Sequence, residues 1–184
     1  MRRLAASLVL ALVALAGCGG QDDDAGLPEF SATPEASASA QWDQKAKPER
    51  PEDVKTEDGL RAYIDYLALV TPYTLATHDS SVLANLGDPT TCVPCARAGE
   101  IGESYGNEIV LYEQRPSVRD VAATKDPAGD KWVVKAQIDL PASQRVDKTS
   151  GEAQSKSPAE SVAVTYDVMW ASGRWELINY ASQS

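Results

Sequence analysis

The stretch that decides the fold runs from Trp132 to Leu140 and reads WVVKAQIDL. It places an apolar side chain at every second position. Successive side chains of a β-strand point to opposite faces, so the stretch predicts a strand with one buried face. Residues 162–170, VAVTYDVMW, repeat the alternation. Ser172 and Gly173 then predict a hairpin turn, and a returning strand continues through Trp175, Leu177 and Asn179.

Two more strands precede this pair. Residues 109–113 and 118–124 are typical of strands, and the turn formers of residues 126–129 separate the second of them from residue 132. Residues 141–158 are polar and lack the alternation, which predicts a loop.

Upstream of residue 106 the apolar residues recur at helical spacing. Thr56 suits an N-cap, with Glu57 and Asp58 in the first turn, where the helix dipole favours acidic side chains. Pro72 lacks an amide hydrogen, so we expect this helix to kink or end around residues 69–71. A short helix through Val82, Leu83 and Leu86 follows, and Pro94 opens a helix through Ala98, Ile101 and Tyr105.

Helices followed by antiparallel strands predict an α+β fold, with the N-terminal helices packed on a curved antiparallel sheet of about four strands. This order of elements resembles the cone-shaped fold of the nuclear-transport-factor-2-like superfamily, in which a curved sheet wraps a long first helix. The resemblance covers residues 52–184, which we predict to be a single globular domain.

The first 17 residues predict a signal peptide. Arg2 and Arg3 precede an apolar run, residues 4–16, that is shorter than the roughly 20 residues of a membrane-spanning helix. The run ends in Leu15-Ala16-Gly17-Cys18, which resembles the lipobox of bacterial lipoproteins, in which the cysteine is diacylated. An ordinary signal peptide followed by a chance cysteine is the alternative. We expect Cys18 to be lipidated and to hold the protein at the extracytoplasmic face of the cell membrane.

Residues 18–51 are predicted to be the lipidated cysteine and a disordered tether, because the stretch is rich in Asp, Ala, Ser, Pro and Glu and offers little apolar surface to bury. Without residues 1–17 the chain carries 15 basic and 27 acidic side chains, a net charge of −12. This acidic excess argues against nucleic acid as a partner, since binding to nucleic acid requires basic patches.

Cys92 and Cys95 remain once Cys18 is lipidated, and an even pair outside the cytoplasm is expected to be oxidised. We predict a structural disulfide that staples the loop between two helices. A redox centre is an alternative, because Cys-x-Pro-Cys at a helix start stabilises a thiolate, although no strand directly precedes the motif as it does in thioredoxin-like folds. Two thiolates without a neighbouring histidine or further cysteine make a poor zinc site, so we predict no metal and no cofactor.

Tyr63, Asp65 and His78 are the candidates for a ligand pocket inside the cone. In cone-fold enzymes an aspartate base and tyrosine donors act on a bound ligand, and His-Asp pairs transfer protons, so Asp79 beside His78 adds to the pattern. The ordinary interpretation is that Tyr63 packs in the core, that Asp65 and Tyr66 are exposed, and that His78 is a solvated turn residue. We assign no catalytic residue.

The tryptophans of the predicted strands, Trp132, Trp170 and Trp175, alternate with aliphatic residues and are interpreted as core. An aromatic face that binds a glycan or a peptide is the alternative.

Taken together, several features resemble one uncharacterised family of lipoproteins from high-GC Gram-positive bacteria, known only as a domain of unknown function. These features are the lipobox, the acidic tether with its prolines, Tyr63–Tyr66, Cys92–Cys95 and Gly173–Trp175. The resemblance spans nearly the whole chain, implies an envelope location and brings no catalytic residue.

We therefore expect a non-catalytic module of the cell envelope that binds an envelope protein or a cell-wall partner. The alternative is a small-ligand-binding or isomerase-like cone with a polar internal cavity.

Overall fold

A computed structural model describes residues 42–183. The predicted signal peptide, Cys18 and the tether as far as residue 41 lie outside the described residues. Within residues 42–183 the helices come first: α1 Glu57–Thr77, α2 Ser81–Ala84, α3 Val93–Ala96 and α4 Ala98–Ser104. The strands follow: β1 Glu108–Tyr112, β2 Ser117–Lys125, β3 Lys131–Leu140, β4 Ser143–Asp147, β5 Ala153–Ser157, β6 Glu160–Ala171 and β7 Arg174–Gln183.

The strands form two antiparallel sheets, which confirms the α+β class. One sheet has four strands in the order β2-β3-β6-β7, and the other has three in the order β1-β4-β5. The prediction of one sheet is therefore wrong. The resemblance to a cone stays a prediction.

The smaller sheet contains residues whose sequence predicted a loop. β4 pairs with β1 from Asp147↔Glu108 to Ser143↔Tyr112, and β5 pairs with β4. Every side chain of β5 is exposed, and Val146 is the buried residue of β4. A strand that is polar on both faces shows no alternation in its sequence, because backbone hydrogen bonds and not burial hold it in the sheet.

The larger sheet has the alternation that the sequence predicted. In β3 the residues at every second position from Trp132 to Ile138 are buried, whereas Val133 on the other face is 40% exposed. β6 and β7 meet at the predicted hairpin turn. Ser172 and Gly173 have φ values of 53° and 78° there, as the mirror-image turns that suit strand twist require.

α1 begins at the predicted N-cap, where the Thr56 hydroxyl accepts a hydrogen bond from the Gly59 amide at 3.1 Å. Of the two expected effects of Pro72, the end of the helix is wrong, because α1 continues to Thr77, and the kink stays a prediction. Pro72 and the residues that follow it as far as Ala76 are buried. Their packing outweighs the lost hydrogen bond and the crowding that proline brings to a helix.

The continuous helix expected from Pro94 to Tyr105 is instead two short helices. Arg97 lies between α3 and α4, and its φ of −102° and ψ of 10° interrupt the helical backbone.

The described domain begins earlier than residue 52, because part of the predicted tether packs against it. Gln44 is only 8% exposed. Its side-chain nitrogen Nε2 donates to the carbonyl oxygens of Pro72 and Val110 at 2.8 and 2.9 Å, and its Oε1 accepts from the Tyr112 amide at 2.8 Å. Composition does not reveal such an attachment, since one polar side chain makes it to backbone groups.

The hydrophobic core contains α1, the short helices and the buried residues of the larger sheet. Trp175 is fully buried, with its ring centroid 4.9 Å from that of Trp132 and 5.1 Å from that of Trp170, both edge-on. Tyr66, expected to be exposed, is 6% exposed and stacks on Tyr63 at 6.2 Å, which widens the buried stripe of α1. Between residues 42 and 183 no helix is long and apolar enough to cross a membrane.

Candidate ligand cavity

A cavity of about 310 Å³ opens inside the domain. Its helical wall is formed by α1, by α2 and by the second residue after α2. It includes Leu67, Ala68, Val70, Pro72, Leu83 and Leu86. Its strand wall includes Ile138, Leu140, Val162, Val164 and Leu177. The volume lies at the lower end of the range of small-molecule sites, about 300–1,000 Å³, and the lining is mostly apolar, as in such sites.

Local structure explains why these side chains line one space. Val162, Val164 and Tyr166 stand at every second position of β6, so they share one face of the sheet. On α1 the small side chain of Ala68 is part of the same lining. Aliphatic residues therefore define the walls.

The opening of the cavity is marked by the lining residues that are exposed. Glu160, at the start of β6, is exposed, and so are Tyr180 and Ser182 on β7. Glu160 pairs across the sheet with Leu140, another lining residue. Among the residues that line this cavity, Glu160 is the charged one.

Tyr166 brings a hydroxyl group into the otherwise aliphatic lining. The residue is 5% exposed, and its ring lies 6.3 Å from that of Tyr180 on the neighbouring strand. Burial, and secondarily the nearby Tyr180, raises the pKa of Tyr166 above its ordinary value, so the group stays protonated at neutral pH. None of the side chains and backbone groups that the structure describes forms a hydrogen bond with this hydroxyl, which faces the cavity.

Tyr112, at the end of β1 in the smaller sheet, is a second tyrosine in the lining of the cavity. Burial raises the pKa of Tyr112, and Tyr105 and Glu160 raise it further through their charges. Tyr112 and Glu160 both line the cavity.

The structure does not bring Tyr63, Asp65 and His78 together, and none of them lines the cavity. Tyr63 is 1% exposed, its hydroxyl donates to the Leu86 carbonyl at 2.9 Å, and the Arg50 guanidinium lies 4.9 Å from its ring centroid. Asp65 is exposed on α1. His78 lies at the end of that helix.

His78 and Asp79 form no proton-transfer pair in the structure. His78 caps α1 with a φ of 62°, and its Nε2 lies 2.8 Å from the Glu108 carbonyl oxygen, to which it donates. Asp79 accepts from the Ser81 amide at 2.9 Å and from the Tyr73 hydroxyl at 2.7 Å. The hydrogen bonds from Ser81 and Tyr73 lower the pKa of Asp79 to about 2. Both residues thus act in holding the chain where it leaves α1.

The disulfide between Cys92 and Cys95 is confirmed, with the Cα atoms 5.2 Å apart. Both cysteines are buried, and the Cys92 sulfur accepts a hydrogen bond from the Cys95 amide at 3.2 Å. Gly87 lies against this staple. A Cβ atom at Gly87 would stand 2.5 Å from the Leu177 carbonyl oxygen and 3.1 Å from the Cys92 Cβ, so only glycine fits.

Two other candidate sites are placed by the same structure. Trp132 and Trp175 are at most 2% exposed and belong to the core, while Trp170 is partly buried against it. Within the described part of the chain no group of three or more His, Cys, Asp or Glu side chains is arranged to hold a metal ion.

Sequence reasoning missed the cavity residues because burial and cavity lining produce the same pattern. Tyr166 belongs to an alternation that correctly predicts a buried face. No feature of that alternation distinguishes a side chain in contact with its neighbours from one beside an empty space.

Two solved structures are similar to this fold. The intermembrane space region of chloroplast protein ARC6 has 10% identity and a TM-score of 0.45, over 60% of this chain and 83% of that one. A chain from Xanthomonas campestris, described as a calcium/calmodulin dependent protein kinase II association domain, has 16% identity and a TM-score of 0.37, over 73% and 94%. Both likenesses are distant.

No curated protein matches the chain significantly in sequence. The model of a family of unknown function, DUF6318, matches residues 34–181. This match confirms the expected membership of an uncharacterised domain family, whereas the lipoprotein and high-GC Gram-positive details stay predictions. Because the match covers well over half of the sequence, the chain belongs to the DUF6318 family.

Proposed function

We propose that the chain is a lipid-anchored protein of the extracytoplasmic membrane face whose domain binds a small, mostly apolar ligand without catalysis. The cavity of about 310 Å³ with its aliphatic walls is the observation that carries the proposal. The proposal takes up the small-ligand alternative from the sequence, with a cavity that is mostly apolar where a polar one was expected. Binding to an envelope protein or a cell-wall partner stays a prediction.

The cavity supports binding because it exposes aliphatic side chains to solvent. An apolar ligand gains dispersion contacts with these side chains and removes apolar surface from water. The opening near Glu160, Tyr180 and Ser182 gives a ligand a path into this space.

Ligand binding is tested with N-phenylnaphthylamine, an uncharged dye whose fluorescence rises in apolar surroundings. Wild type is compared with Ala68→Leu, which fills part of the cavity, and with Ala62→Leu, the same change on α1 outside the cavity. We expect Ala68→Leu to weaken dye binding about tenfold and Ala62→Leu to leave it unchanged. Equal dye binding by all three proteins, or none by wild type, contradicts the proposal, provided that circular dichroism shows all three folded.

The anchor is supported by the sequence Leu15–Cys18 after an apolar run. Two acyl chains on one cysteine hold a protein at a membrane durably, since each buried methylene contributes about 0.8 kcal/mol. We expect Cys18→Ala to move the protein from the detergent phase to the aqueous phase in cell-envelope extractions, and Ser31→Ala to leave it in the detergent phase. Retention of the Cys18→Ala variant in the detergent phase contradicts the lipid anchor.

A further inference from the structure

Resting on the proposed ligand site, we propose that the cavity selects an uncharged amphiphile, an apolar chain or ring with one hydroxyl or carbonyl oxygen, and rejects anionic lipids such as free fatty acids. Two lining residues carry this inference. Tyr166 supplies an unpaired hydroxyl inside the cavity, and Glu160 supplies a negative charge at its opening.

Tyr166 defines the polar group that the ligand brings. Tyr166 is 5% exposed as a residue, but the fully buried polar side-chain atoms of the described residues that lack a hydrogen-bond partner are Arg50 Nη1 and Trp132 Nε1, so the Tyr166 hydroxyl keeps access to the cavity space. A ligand that covers this hydroxyl and offers it no hydrogen bond would leave it without a partner, which is unfavourable. Because the group stays protonated, it both donates and accepts, so a single hydroxyl or carbonyl oxygen on the ligand satisfies it.

Glu160 defines the charge that the ligand lacks. Its carboxylate stands at the opening, forms no ion pair with the cations of residues 42–183, and has no lysine or arginine beside it in the lining. A carboxylate or phosphate ligand would lie beside Glu160 and not beside Arg115, because Arg115 lines the neighbouring pocket and not this cavity, and it would lose its water in an apolar space. Both effects disfavour anions.

The walls exclude a strongly polar ligand. Aliphatic side chains of α1, α2, β3, β6 and β7 surround the space, and the three tyrosines and the exposed Thr71, Glu160 and Ser182 are the polar exceptions. A ligand such as a sugar or an amino acid would leave most of its polar groups without partners in such surroundings.

Decanol and decanoate make a matched pair of probes, because they share an alkyl chain and differ in charge at neutral pH. The chain from residue 18 to residue 184, made without its lipid, is titrated with each probe in competition with N-phenylnaphthylamine. We expect decanol to displace the dye at about tenfold lower concentration than decanoate.

Variants separate the contribution of Glu160 from the intrinsic difference between the probes. Glu160→Gln should strengthen decanoate binding and so reduce the ratio of decanol affinity to decanoate affinity about fivefold. Glu160→Lys should reduce this ratio further. Glu152→Gln is the control, an exposed glutamate outside the cavity. An unchanged ratio in Glu160→Gln overturns the role of this residue.

Tyr166→Phe removes only the hydroxyl. We expect it to weaken decanol binding about fivefold and to leave binding of the dye unchanged, while Tyr66→Phe, a buried tyrosine outside the cavity, changes neither. Equal or tighter binding of decanoate by wild type overturns the ligand class and leaves the proposed function standing. Absence of binding by the dye and both probes overturns the proposed function itself.

Discussion

At the scale of single residues, Gln44 joins the first described stretch of the chain to two distant elements. Its amide bonds to a carbonyl inside α1 and to two backbone groups of β1. Without Gln44, the Tyr112 amide and the Val110 carbonyl would lie unpaired in a largely buried position, at the free edge of β1.

We predict that Gln44→Ala lowers the free energy of unfolding by about 1–3 kcal/mol, because it strands buried backbone groups. Gln44→Glu should lower it further at neutral pH, since a carboxylate would face the carbonyl oxygens of Pro72 and Val110. Urea denaturation measures both changes. Gln114→Ala, at an exposed glutamine, is the control, and a Gln44→Ala variant as stable as this control contradicts the prediction.

Asp79 makes the stability of the end of α1 depend on pH. Hydrogen bonds from Ser81 and Tyr73 depress its folded-state pKa to about 2, below the roughly 3.9 of an unfolded chain. The stabilisation is therefore present above about pH 4 and lost as the pH falls towards 2.

We predict that Asp79→Asn is less stable than wild type at about pH 5 and that the difference shrinks between about pH 4 and 2. Thermal unfolding across this range checks it. Asp126→Asn, in the exposed turn before β3, is the control, because it shows how much acid changes stability without the loss of Asp79. A constant difference between wild type and Asp79→Asn would show that the carboxylate form of Asp79 contributes nothing specific.

At the scale of elements, the disulfide holds α3, a helix of four residues that packs between its neighbours and β7. A helix this short is not stable by itself. The covalent link restricts the unfolded chain and keeps α3 formed.

We predict that replacing both Cys92 and Cys95 with alanine lowers the free energy of unfolding by about 2 kcal/mol, as expected for a short loop. A reducing agent should lower the melting temperature of wild type and leave that of the variant unchanged. The same preparation should show no reduction of insulin. Insulin reduction by wild type would contradict a purely structural role.

The sequence predicts well those elements in which the pattern of buried or capping side chains follows directly from the backbone geometry. β3 and β6 alternate because one face is buried, and Thr56 caps α1 because its hydroxyl satisfies an amide. β4, β5 and the last residues of α1 depart from local rules. Pairing with β1 stabilises the polar strands, and tertiary packing of residues 72–76 carries α1 through its proline. Neither effect is visible in local sequence.

At the scale of the whole molecule, stability is concentrated in the four-stranded sheet. β3 and β6 each have a neighbour on both sides and carry much of the core. β5 lies at the edge of the smaller sheet with all its side chains exposed. Opening the larger sheet would therefore expose much buried apolar surface, whereas detaching β5 from the smaller sheet would expose little.

We predict that amide hydrogens of β3 and β6 exchange with solvent most slowly and that those of β5 exchange many times faster. Hydrogen exchange followed by mass spectrometry resolves these strands. Comparable protection of β5 and β3 would show that the domain opens only as one unit.

The candidate site was less predictable than the fold for a physical reason. The chemical types of Tyr63, Asp65 and His78 indicate a site, but each residue has a structural role or an exposed position. A cavity is a collective property of residues from α1, α2 and both sheets, whose relative placement no local pattern encodes. The roles proposed for Glu160 and Tyr166 depend on this placement.

The attachment through Gln44 also determines how force enters the protein. Tension applied to the chain before Trp42 acts first on three hydrogen bonds, not on the N-terminal end of α1. These bonds join a helix to a sheet edge, so the load is divided between two elements. Pro72 and Tyr112, which bond to Gln44, also line the cavity, and mechanical strain on the chain is thereby transmitted to the walls of the binding site.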